Sequence, residues 1–170
     1  LLASCSEFVS ALKVDQWHRV DQVIDGDTLK LANGRLVRLQ GINAPELHNV
    51  SSRYQSRVSR SNPQPLAHEA HQALQHLLQD ASVGLVFLQE KVMQDKYGRL
   101  LALAVNSKRQ LISQELVKKG LAWHVVLEDR ADIFCLQETE NEAKSKKLGI
   151  WAKAIYQPVE SKAIRQLVSG

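Results

Sequence analysis

The stretch WHRVDQVIDGDTLKLANGRLVRLQGI, Trp17 to Ile42, decides the fold. Val20 and Val23, then Leu29 and Leu31, then Val37 and Leu39 give short segments with the alternation of half-buried strands. Asp25-Gly26 breaks the first pair of segments and Asn33-Gly34 the second. Asn-Gly between alternating runs is a strong two-residue hairpin signal, because both positions accept positive φ. The expectation is an antiparallel meander of three strands that ends at Gly41 and Pro45.

Beyond it, His48 to Pro65 reads as a long polar loop, rich in Ser and carrying Arg53, Arg57 and Arg60. Leu66, Ala70, Ala73, Leu74 and Leu77 share one face of a helix expected over Leu66 to Leu78. A fourth strand is expected from Val83 to Leu88, a turn at Asp95 to Gly98, and a fifth strand from Leu100 to Val105. Leu111 to Lys119 reads as a short helix stopped by Lys118-Lys119-Gly120, a basic last turn and then the residue that best accepts a left-handed conformation. A third helix runs from Asp132 to Lys147, before Gly149, and Val159 to Leu167 is a further amphipathic turn. The order implies an α+β domain, and five short strands suggest a small barrel, since closure removes exposed edges. The boundaries that follow are a tail at 1–16, a domain at 17–152 and a C-terminal extension at 153–170.

Composition narrows the class. The 170 residues are 44% hydrophobic and 24% charged, with 22 Lys+Arg against 18 Asp+Glu. This suits one slightly basic soluble domain, and a net charge of +4 permits a polyanionic partner without requiring one. No apolar run is long enough to span a bilayer. Two cysteines, Cys5 and Cys135, are too few for a disulfide scaffold or a Cys-rich zinc site. They could join in an oxidising compartment, but nothing in the sequence brings them together. Leu2-Ala3-Ser4-Cys5 resembles a bacterial lipoprotein processing box with Cys5 lipidated, which makes an exported protein with a lipid anchor one reading and a frayed tail the other.

Chemistry concentrates in two clusters: Asp25-Gly26-Asp27-Thr28 with Arg38 and Gly41 to Glu46, and Asp95-Lys96-Tyr97-Gly98-Arg99. Taken singly, these are turn residues. Arg38 is harder to dismiss, because alternation sets it opposite Val37 and Leu39, either in solvent or in a site.

In combination they resemble the staphylococcal nuclease family, in order, from Val20 to Trp151. The matching motifs are Val23–Thr28, Arg38–Glu46 and Asp95–Arg99, with Gly120-Leu121-Ala122 and Leu148-Gly149-Ile150-Trp151 as later landmarks. The resemblance implies a five-stranded OB-type barrel with three α-helices and a metal-dependent endonuclease that hydrolyses phosphodiesters in DNA and RNA, leaving 3′-phosphate ends. It implies Ca²⁺ held by Asp27, Asn43 and the carbonyl of Ala44. Glu46 would be the general base, Arg38 and Arg99 the catalytic arginines, and Lys96 and Tyr97 substrate contacts. The chemistry agrees: guanidiniums bond non-bridging phosphate oxygens in pairs, a hard cation offsets their charge, and a carboxylate takes the proton of the attacking water.

Asn43 departs from the family's usual Asp and removes a negative charge, so weaker Ca²⁺ binding is expected. Trp123 and His124 stand where tyrosines stack on the nucleotide in the best-known member, with a core role the expectation for Trp123. His68-Glu69-Ala70-His71 is one residue too short for a zinc-protease motif, and both histidines are expected on a solvated face. The alternative function is a non-catalytic module of the same fold that binds nucleic acid or protein.

Overall fold

Each strand of the meander forms because its alternation gives it one apolar side to bury. In the computed structural model, which describes residues 4–47, 64–88, 92–125 and 134–156, β1 spans Gln16–Val23, β2 Thr28–Leu31 and β3 Leu36–Leu39. Leu29, Leu31, Val37 and Leu39 are at most 1% exposed. The hairpin at Asn33-Gly34 has Gly34 at φ +86°, while the Asn33 side chain accepts from Arg35 N at 3.0 Å. The expected polar loop falls almost wholly outside the described residues, as do the turn at Val159 to Leu167 and most of the C-terminal extension.

Two further strands complete the barrel: β5 at Ser82–Val86 and β7 at Leu100–Val105, with the two-residue β4 (Ile42–Asn43) and β6 (Met93–Gln94) beside them. β3, β2, β1, β5 and β7 are successive antiparallel neighbours, and a parallel pairing of β3 with β7 closes the ring. The family's five-stranded barrel is thus present, and no strand of the ring is left with an unpaired edge.

The three helices expected from the sequence are α2 (Ala67–Leu77), α3 (Ile112–Lys118) and α4 (Phe134–Ser145). They plug the barrel with Ala70 and Leu74, with Ile112, Leu116 and Val117, and with Leu136. α3 stops where Gly120 takes φ +69° and its N–H reaches Val117 O at 3.0 Å. A side chain at Gly120 would run into the carbonyl of Leu148, so this glycine serves a close crossing as well as a helix stop.

The tail is more ordered than its composition suggests. Ser4 caps a fourth helix, α1 (Cys5–Ala11), by accepting from Glu7 N at 3.1 Å. Cys5 is disulfide-bonded to Cys135 of α4, with Cα atoms 4.8 Å apart across 130 positions of sequence. The sulfur of Cys5 is therefore committed to a bond that a lipid thioether would need, which removes the support for an anchor at Cys5. β8 (Trp123–His124) pairs with β4 in a separate two-stranded sheet, and a second apolar cluster holds Ala143, Ile150, Trp151 and Tyr156, with Trp123 packed against it. Trp123 meets the Tyr156 ring edge-on at 5.0 Å, which gives it the packing role expected of it. The described residues contain no helix long and apolar enough to cross a membrane.

Candidate active site at the barrel seam

Strand register assembles the site. Arg38 lies opposite Thr28 on one side and Leu101 on the other. The first pairing sets Asp27 beside Arg38; the second brings the start of β7, and with it Arg99, to the same rim. Asp27 reaches the rim through Gly26, where a Cβ would stand 2.6 Å from the Ala44 Cβ and 2.7 Å from the Ala70 Cβ. Only glycine lets the turn lie this close to α2.

Asp27 is buried, with 3% of its surface exposed, and both of its oxygens are occupied. Oδ1 accepts from the Thr28 hydroxyl at 3.0 Å. Oδ2 accepts from Ala44 N at 2.8 Å and pairs with Arg38 Nη2 at 3.3 Å. Arg38 resolves its sequence ambiguity by pointing inward: Nη1 donates to the carbonyls of Leu39 and Ile42, both at 2.8 Å, and Nη2 also donates to Asn43 Oδ1. A planar fork with four protein acceptors is rigidly held.

Glu46 is half-buried on the segment after β4. Its backbone is clamped by Gln64, whose Oε1 accepts from Glu46 N at 2.7 Å and whose N–H donates to Glu46 O at 2.9 Å. Burial pushes the Glu46 carboxyl up, the charge of Asp27 adds to this, and Arg38 and Arg99 oppose it. One carboxylate thus feels the buried aspartate and both arginines. Arg99 sits at the base of the β6–β7 hairpin, where its Nε donates to Asp95 Oδ2 at 2.6 Å. Lys96 and Tyr97 occupy the hairpin tip: Tyr97 is 71% exposed, with Lys96 Nζ 5.1 Å and Arg99 Cζ 5.5 Å from its ring centre.

Asp25 and Asp95 lie within the matched motifs but received no role there, and Gln64 lies outside them. Asp25 follows β1, and its Oδ1 accepts from Asp27 N at 3.1 Å. Burial above all, then the charge of Asp27, pushes its carboxyl up to about 7. A folded state that keeps a proton the unfolded chain gives up near 3.8 loses stability as pH rises through that interval. Glu46, whose carboxyl is also pushed up, adds to the decline with the same sign. In the presence of a chelator, the urea midpoint should therefore fall between pH 4 and 7, and Asp25→Asn should flatten the decline. A flat wild-type profile would refute this.

Asp27 Oδ2 and Asn43 Oδ1 both converge on one nitrogen, Arg38 Nη2. Among the described residues, no group of three His, Cys, Asp or Glu side chains could hold a metal ion.

Two other readings need adjustment. His71 is only partly exposed, its Nε2 2.9 Å from Val23 O, where α2 packs against the end of β1; His68 is exposed as expected. His124 faces inward too, with Nδ1 3.0 Å from Gly41 O and its backbone N–H donated to Glu140 Oε2 at 2.5 Å.

The family model described as "Staphylococcal nuclease homologue" matches residues 36–153. The chain is 31% identical over 147 residues to an uncharacterized protein of Methanocaldococcus jannaschii, covering 78% of this chain and 70% of that one. It is 32% identical over 126 residues to the staphylococcal-like nuclease CAN1 of Arabidopsis thaliana, with 73% of this chain and 32% of the plant protein covered. It is 32% identical over 142 residues to the prophage-derived endonuclease YokF of Bacillus subtilis, with 81% and 44% covered. The chain thus spans less than half the length of the two named nucleases.

Proposed function

Because the chain belongs to the staphylococcal nuclease homologue family, we propose that it is an endonuclease hydrolysing phosphodiester bonds in DNA and RNA. The observation that carries this reading is the meeting, at one rim, of two guanidiniums with a half-buried carboxylate whose affinity for protons is raised.

Glu46 accepts the proton of the attacking water, and its raised pKa brings it nearer the neutral range in which a general base works best. Arg99 presents its terminal nitrogens to the non-bridging oxygens, while Arg38 adds fixed positive charge at the same rim. Lys96 and Tyr97 contact the neighbouring phosphate and sugar from the hairpin tip. Asp27, Asn43 and the Ala44 carbonyl would hold Ca²⁺, which when bound offsets phosphate charge and orients the water. Products then end in 3′-phosphates. Export to an oxidising compartment is part of the proposal, and the Cys5–Cys135 bond supports it.

The test is incubation with single-stranded DNA, duplex DNA and RNA, with Ca²⁺, with Mg²⁺ and with a chelator. Cleavage that stops on chelation and in Glu46→Gln supports the enzyme. Binding without cleavage under every condition supports the alternative, a non-catalytic binding module, for which the loss of charge at Asn43 speaks. Asn43→Asp should tighten Ca²⁺ binding by about tenfold, since affinity follows ligand charge. The same carboxylate would also pair with Arg38, so the gain is smaller than for an unpartnered ligand. Calorimetry showing equal affinities would refute the assignment of position 43.

A further inference from the structure

The two arginines are held in opposite ways. Arg38 commits both terminal nitrogens to protein acceptors. Arg99 commits only Nε, and among the described residues its terminal nitrogens have no hydrogen-bond partner. The residue responsible is Asp95, which lies outside the three assigned catalytic residues and divides its oxygens between two tasks. Oδ1 accepts from the N–H groups of Tyr97 and Arg99, both at 2.9 Å, and so builds the turn that also has Gly98 at φ +79°. Oδ2 alone takes the side chain, at 2.6 Å from Nε.

We propose that Asp95 is the positioning residue of Arg99: it anchors the guanidinium by Nε so that the two-nitrogen end stays free and aimed for a phosphate. This rests on the nuclease reading above. An unanchored arginine would lose rotamer freedom each time it gripped substrate; here that ordering is complete beforehand. The same contacts favour the charged form of Asp95 that the anchor needs. Partial burial pushes its carboxyl up, but the hydrogen bonds from the Arg99 side chain, Arg99 N and Tyr97 N outweigh this and hold it below the ordinary range. The Tyr97 ring, 5.5 Å from Arg99 Cζ, bounds the guanidinium from a second direction.

The division of oxygens makes Asp95→Asn a selective probe. An asparagine can keep an oxygen for the two backbone N–H groups, while its amide turns N–H toward the N–H of Nε. The turn survives and the anchor is lost. Expected results are an unchanged melting temperature and a kcat reduced by about ten- to a hundredfold with a smaller change in KM. No further loss should follow when the substitution is added to Arg99→Ala.

A readout independent of cleavage is the ¹⁵N-edited NMR signal of Arg99 Nε–H. It should be protected from solvent exchange in the wild type and lose that protection in Asp95→Asn. An unchanged signal overturns the proposal, as does an undiminished kcat or a full second loss in the Arg99→Ala background. A wild type that cleaves nothing overturns the nuclease reading alone, and the Nε–H signal then decides the anchoring by itself.

Discussion

Arg99→Ala is expected to lower the rate of phosphodiester cleavage by a hundredfold or more while leaving the melting temperature where it is. Removing one preorganised donor to a charged transition state costs about 3–4 kcal/mol of barrier. Among the described residues, the side chain's protein hydrogen bond is to Asp95 on a hairpin at the surface, so the fold depends little on it. Glu46→Gln should behave alike, because the backbone of Glu46, not its carboxylate, is what Gln64 clamps. Arg38→Ala is a less clean experiment. It would take the ion pair from Asp27 and this donor from Asn43 Oδ1 and two backbone carbonyls, so activity and stability should fall together. Single-turnover cleavage measured beside thermal melts separates the cases. Undiminished turnover in Arg99→Ala would take that residue out of the mechanism.

The second large effect concerns the disulfide. Serine at both Cys5 and Cys135, or reduction of the wild type, should cost about 2–5 kcal/mol, a fall in melting temperature of roughly 5–15 °C. The loop that the bond closes spans 130 positions, so the unfolded chain gains much freedom when it opens. In the folded state α1 has no fully buried residue of its own, and the bond to α4 is its firmest attachment. Equal melting temperatures with and without reductant would contradict this. Any change in activity has a physical route, since α4 carries Glu140, which accepts from the His124 N–H beside the strand that holds Asn43.

Much of the fold was legible because its signals are local. Alternation at Leu29/Leu31 and Val37/Leu39 marks strands whatever lies nearby, Asn33-Gly34 can only be a tight turn, and Gly120 after two lysines stops a helix. Motif order was enough to name the residues now found at the rim. Less legible were features that depend on a distant partner. Ser4 to Ala11 read as a tail because α1 gains its order from α4. His71 read as solvated because the carbonyl it faces is 48 positions away. Asp25 and Asp95 read as turn residues, which they are, and their second tasks depend on neighbours that the turn does not reveal.

The sequence by itself therefore determined the elements, their order and the identity of the charged groups, because side-chain period and turn chemistry act over a few residues. Tertiary structure alone decided which groups face one another. The parallel seam of β3 on β7 sets Arg38 and Arg99 on one rim, the glycine turn lowers Asp27 beside them, and a hydrogen bond from Arg99 Nε to Asp95 leaves its terminal nitrogens open where those of Arg38 are bound. Those relations depend on the register between strands far apart in sequence, which a local pattern does not encode.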